Sequence, residues 1–200
     1  MAIDLPDVRF ASSYPQVLDS VSASRAGNRV VAMVEYADPQ WQIPMTTTPL
    51  RASARLLVEA FRDACRGGLT TVHYKPKHQC LPRSLWGQPL SPLLANGTLS
   101  AKAGYNVTVA AATGLVLSPG DLVSFTTGVH NWMARVVTGG TVAGGSVALT
   151  LNMPVPSYIA IGAVVRFKDP IMNTRMLPGS FTLSDEFFPV ASFTLVEVPR

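Results

Sequence analysis

From Asn106 onward the chain cannot run far in one direction. Turn chemistry interrupts it about every 8–12 residues, the spacing of a small antiparallel barrel or sandwich. Asn106–Ala110 reads as one strand. Ser118-Pro119-Gly120-Asp121 follows, with Pro and then Gly at the central positions of a type II turn. Leu122–Thr126 is the next strand, with a tip near Gly128 and a returning strand over Trp132–Val137. A turn from Gly139-Gly140 to Gly144-Gly145, a strand over Ser146–Leu151 and a closing stretch over Ile159–Phe167 complete the set.

The preceding half has a different grammar. Val30–Tyr36 is rich in β-branched residues and predicts a strand, with Asp38-Pro39 as its turn. Trp41, Ile43 and Met45 then alternate with Gln40, Gln42 and Pro44, the period of a half-buried strand. Pro44 lacks a ladder donor and pushes that strand toward an edge. One amphipathic helix is expected over about 49–66, with Thr48 as N-cap and Pro49 in the first turn. Leu50, Ala54, Leu57, Val58, Phe61 and Cys65 share one face of it. Arg51, Arg55, Glu59, Arg62 and Arg66 share the other, where Arg55 and Glu59 can pair one turn apart. Gly67-Gly68 permits a left-handed stop. Leu69–Tyr74 predicts a strand, and 76–92 is an irregular passage with Pro82, Pro89 and Pro92. Phe181–Val198 holds two more strand patterns. In the last, Phe193, Leu195 and Glu197 share one face and Thr194, Val196 and Val198 the other. Each face has two apolar residues and one polar residue, so the inward set stays open.

Only 14% of the residues are charged while 48% are apolar, against a usual charged share of about a quarter. Either Ser, Thr and Gly dominate the surface or the chain buries surface against other subunits. The net charge of +4 is uneven. Between Arg25 and Arg83 nine Lys or Arg face four acids, whereas 84–165 carries only Lys102, Arg135 and Asp121. The basic segment reads as a solvated face or as one turned to a polyanion such as DNA. No apolar run approaches the roughly 18 residues of a membrane span, so no membrane insertion is expected. The start, MAIDLPDVRF, lacks the basic and apolar regions of a secretory signal. Cys65 and Cys80 are expected as free thiols of a reducing compartment.

Chemistry-bearing residues are few. His73, His78, Cys80 and Cys65 are zinc-ligand types, but their spacing matches no closed zinc pattern. Asp121, Ser124 and His130 lie close in sequence without a nucleophile elbow. Asp185-Glu186 is an adjacent acidic pair in a turn, and no phosphate or dinucleotide glycine loop is present. No catalytic, cofactor or metal residue is therefore assigned, and an enzyme is not expected. Trp132, beside His130 and Asn131, could stack on a sugar or nucleobase from a loop tip, or belong to the core. Trp41 and Trp86 read as core or subunit-contact residues.

The order of pieces resembles a known family. Leu117-Ser118-Pro119-Gly120-Asp121-Leu122-Val123 looks like a turn opening an insert, with Ala134–Val137 as the strand after it. Gly145–Leu151 with Pro154, then Gly162–Val165 through Lys168-Asp169-Pro170, look like the next strand and the return. Phe181-Thr182-Leu183 and Ser192–Val198 look like a closing pair. From about Val30 on, this arrangement is similar to the distal tail proteins of long-tailed bacteriophages and gene-transfer agents.

The resemblance implies a mainly β fold with one amphipathic helix: a β-sandwich-like ring domain (1–86 plus 179–200) and an inserted, small OB-like β-barrel (87–178). It implies a structural virion protein of the tail tip, made in the host cytoplasm. Copies would form a ring, usually a hexamer, joining the tail tube protein to tail hub or baseplate proteins around a channel that passes DNA without specific binding. Arg51, Arg55, Arg62 and Trp41 are then candidates for the subunit interface. The alternatives are a carbohydrate- or nucleic-acid-binding β module using Trp132, another tail-tip or tail-tube component, or a small hydrolase using Ser124.

Overall fold

The computed structural model describes residues 2–26 and 30–198. The chain opens with β1 (Ala2–Asp4), β2 (Phe10–Ser12), β3 (Gln16–Ala26) and β4 (Val30–Thr47), followed by helix α1 (Ala52–Ala64) and β5 (Thr71–Tyr74). Next come β6 (Gly97–Ala103), β7 (Asn106–Ala110), β8 (Val116–Leu117), β9 (Leu122–Thr127) and β10 (His130–Thr138). β11 (Gly140–Thr141), β12 (Ser146–Leu151), β13 (Val164–Arg166), β14 (Met172–Met176), β15 (Thr182–Leu183) and β16 (Ala191–Glu197) complete it. The protein is mainly β with one α-helix among the described residues, as its sequence implies.

Six strands close an antiparallel barrel in the order β10-β12-β7-β6-β13-β9. The predicted strands over 106–110, 122–126, 132–137 and 146–151 all stand in it. Gly120 sits at φ 97°, and Asp121 N–H donates to Ser118 O at 3.1 Å, the geometry its Pro-Gly pair favours. Gly139 is needed for another reason: a side chain there would collide with Leu117 O. The closing stretch is shorter than expected, since only Val164–Arg166 is strand.

The remaining strands form an open sheet, β1-β5-β14-β16-β4-β2, with β3 also along β4 and β15 on β16. β14 falls within the stretch expected for the barrel, yet it is ladder-bonded between β5 and β16. All barrel strands lie between Gly97 and Arg166. The inner face of the sheet carries Trp41, Ile43 and Met45 of β4 and Phe193 and Leu195 of β16, all buried. That bears out the period-two pattern and settles the inward set of the last strand. Helix α1 covers one end of this face, with Phe61 against Phe193 at 5.6 Å between ring centres. The barrel covers the other end, where the Trp41 indole N–H donates to Met133 O at 2.7 Å.

Several local expectations are corrected. Asp38-Pro39 makes no turn. β4 runs straight through it, and the extra residues are absorbed as irregularities opposite Leu18–Val21 of β3. Pro44 is not on an edge strand, because β4 lies between β16 and β2/β3. Its partner Thr194 turns its own N–H and C=O away, to Ser180 and Leu177. The missing Pro44 donor therefore faces the interval between the β3 pairing, which reaches Gln42, and the β2 pairing, which starts at Thr46. No ladder bond is lost there.

The helix starts later than predicted because other segments hold its approach. Thr48 N–H donates to Arg9 O and Leu50 N–H to Pro189 O, so Thr48 caps nothing and Arg51 takes the N-cap position. Leu57 is 52% exposed, not inward. The seated stripe is Ala54, Val58, Phe61 and Cys65, and Leu57 flanks it. Arg55 and Glu59 pair at 2.9 Å, as expected of their spacing. Arg66, Gly67 and Gly68 all take positive φ and end the helix. Both cysteines are free, and burial pushes the Cys65 thiol up to about 11. Among the described residues no helix is long and apolar enough to cross a membrane.

Candidate functional site

Alternation along β16 places Ala191, Phe193, Leu195 and Glu197 on the inner face. A carboxylate thus occupies an apolar register position at the seam between sheet and barrel. Glu197 is only 7% exposed. Its Oε2 accepts from the Trp41 backbone N–H at 3.1 Å, and its own carbonyl accepts from the Gln40 side-chain amide at 2.7 Å. Burial raises its carboxyl to about 7, while the Trp41 N–H and the Trp132 indole act in the opposite direction.

Glu197 opens into a cleft of about 660 Å³. One wall is the base of the β3–β4 ribbon: Ser20, Ala37, Asp38 and Pro39. The opposite wall is the segment after β12, from Met153 to Tyr158, with Trp132 of β10 at the back. That segment is irregular yet firmly tied. Lys102 of β6 donates from Nζ to the carbonyls of Pro156, Ser157 and Ile159, and Val155 N–H donates to Gly104 O at 3.0 Å. Asn152 and Arg135 exchange two bonds at 2.7 and 2.9 Å. The Tyr158 phenol is pushed up by burial and by the charge of Glu197.

The residues singled out for ligand contact separate in space. Trp132 is 2% exposed and tilts against Phe125 inside the barrel, so only an edge of it reaches the cleft. The exposed stacking platform does not exist. His130 packs behind Tyr158 at 5.4 Å between ring centres. Asn131 is consumed by polar contacts, donating to Asn173 Oδ1 and accepting from Thr126 Oγ1, each at 2.9 Å. Trp41 is fully buried between sheet and barrel with Arg135 stacked at 5.2 Å, which removes it from any subunit interface. Trp86 is exposed and outside the core. Arg51, Arg55 and Arg62 do stand on the surface, Arg62 pairing with Asp63 at 2.8 Å and lying over the Phe181 ring.

The hydrolase constellation has structural duties instead. Asp121 accepts from Ser118 N–H at 2.7 Å and Arg83 N–H at 2.8 Å, which stitches the proline-rich passage to the barrel. Ser124 Oγ accepts from Ile171 N–H at 3.0 Å. The register pairs Ser124 with Met133 and His130 with Thr127, so the hairpin holds them apart. His73 lies 3.5 Å from Asp4, His78 stacks on Tyr14, and Cys65 sits at the helix end. Among the described residues no three His, Cys, Asp or Glu are grouped to hold a metal ion.

A second feature is the ribbon formed by β3 and the first part of β4. β16 meets β4 only over Gln42–Thr46. Beyond that, β3 and β4 pair with each other alone, from Leu18↔Gln40 out to Ala26↔Val30. Val21, Met33 and Val34 are exposed there, Met33 at 72%. Val21, Ala23 and Met33 lie on one face and Ser22 and Val34 on the other, so at these described positions neither face is covered. The sequence matches no protein-family model and no curated protein.

Proposed function

We propose that this chain is a structural subunit that works by self-assembly, forming a ring in the tail tip of a virus-like particle. The observation that carries the reading is the β3–β4 ribbon. A two-stranded hairpin by itself is at best marginally stable in water. This one exposes Val21, Met33 and Val34 and leaves a strand edge open. Packing against a neighbouring copy would cover both. Leu56 and Leu57 of α1 are also exposed and add apolar surface that a neighbour could cover. A head-to-tail contact of ribbon on neighbour closes into a ring when its rotation closes.

The order of elements, which resembles that of phage distal tail proteins, supports a particular role: a hexameric adaptor between tail tube protein and hub or baseplate proteins, with DNA passing through the centre. No residue of such an adaptor is catalytic. The test is light scattering and negative-stain microscopy of the full chain beside a Met33→Glu/Val34→Lys variant. Open-centred rings for the wild type and monomers for the variant are expected. A wild-type chain that stays monomeric across the whole concentration range overturns the proposal.

A further inference from the structure

We infer that the cleft at Glu197 is a binding site for one organic cation, an alkylammonium or guanidinium group on an apolar stem. Its size falls within the roughly 300–1,000 Å³ of small-ligand sites. Its lining is one-sided in charge. Glu197 and Asp38 line it, and among the described residues no Lys or Arg does. Much of the remaining lining is apolar, including Met153, Pro154, Val155 and Pro156, with Ser20, Gln40 and Ser157 as its uncharged polar groups. A buried carboxylate beside largely apolar surface favours a poorly hydrated cation that can donate N–H bonds to it.

The carboxylate itself is the stronger reason. A carboxyl at an inner register position costs free energy that an apolar residue would not, unless a partner compensates its charge. Its hydrogen-bond partners are neutral, the Trp41 backbone N–H and the Trp132 indole, and among the described residues no Lys or Arg lines the cleft with it. A cation with N–H donors would complete it. A metal ion fits less well, because the described residues bring no third ligand to the two acids. The cleft also joins three parts of the molecule: the ribbon base, the end of β16 and the Met153–Tyr158 segment. An occupant therefore holds the ribbon at one angle to the barrel. The inference does not depend on ring formation.

The test is calorimetric titration of the full chain with agmatine and putrescine, at pH 6 and pH 8, beside neutral butylurea. The titratable groups sharing the cleft are Glu197, Asp38 and Tyr158, with Arg135 lying beyond the Trp41 ring. One site per chain is expected, tighter at pH 8 by about tenfold because Glu197 is then ionised. Butylurea should not bind. Glu197→Gln keeps an acceptor for the Trp41 N–H, so the fold survives. It should weaken binding by roughly tenfold and abolish the pH dependence. Asp38→Asn, at the exposed rim, should weaken it about threefold.

Two sources of the cation are separable. Agmatine that binds without changing assembly state marks a diffusible amine. Agmatine that dissociates wild-type oligomers, together with loss of assembly in Glu197→Gln, marks a Lys or Arg of a second copy. Failure of every cation to bind, with assembly of Glu197→Gln unchanged, overturns the inference. So does binding that Glu197→Gln leaves intact.

Discussion

The barrel and the open sheet answer the same problem in opposite ways. Both are antiparallel in most of their pairings, and both must satisfy every backbone group. The barrel does so by closing on itself, which removes its edges. It can therefore be almost free of charge, and its one lysine, Lys102, ties down the Met153–Tyr158 wall. The sheet ends at β1 on one side and β2/β3 on the other, and its longest strands run on as a bare ribbon. One region closes on itself, whereas the other leaves Val21, Met33 and Val34 exposed among the described residues.

The seam between the two is where the contrast is most easily broken. Trp41→Ala removes a fully buried ring and the bond to Met133 O together. The expected loss is about 3–5 kcal/mol in a urea melt. A loss below 1 kcal/mol would mean that sheet and barrel do not share a core.

Glu197 sharpens the same boundary through pH. Its folded value of about 7 stands above the ordinary 4.5. The folded state thus holds its proton more tightly, and stability falls as pH rises from about 4.5 to 7, then levels off. The span corresponds to roughly 3 kcal/mol. Glu197→Gln should therefore be about as stable as wild type at pH 4 and more stable than it at pH 8 by up to that amount. Parallel pH–stability curves for the two proteins would show that the seam carboxyl is not strained.

Asp121→Ala tests the barrel's tie to the passage before it. Two backbone donors, on Ser118 and Arg83, lose their acceptor. About 1–3 kcal/mol should be lost, with hydrogen exchange rising at those two amides. At the small end, Met33→Glu/Val34→Lys should shift monomer stability by no more than about 0.5 kcal/mol, since both side chains are exposed. Its effect belongs to assembly. A large loss of monomer stability would show that the ribbon packs on its own chain.

Much of the framework was legible in the sequence because its signals are local. The spacing of Ala54, Val58, Phe61 and Cys65 marks a helix face whatever lies beneath it. Trp41, Ile43 and Met45 mark a strand, and Pro119-Gly120 marks a turn. The candidate site was not legible. Trp132, His130 and Asn131 drew notice by adjacency, yet adjacent residues of a strand point to opposite faces. Glu197, Tyr158 and Asp38 come from three distant segments. The one trace of Glu197 in the sequence was a tie between the two faces of the last strand, which left its direction open.

What the sequence by itself determined is the kind of each element: period two or period 3.6, and where Gly and Pro permit a reversal. Tertiary structure decided which face turned inward, that β4 runs through Asp38-Pro39, and that Pro44 tolerates an interior strand. It also recruited Met172–Met176 to the sheet. The physical reason is range. A periodicity is set by neighbours a few residues away. The fate of a face, or of a missing N–H, is set by partners such as Trp41 and Glu197, which lie 156 residues apart and meet only once the chain has folded.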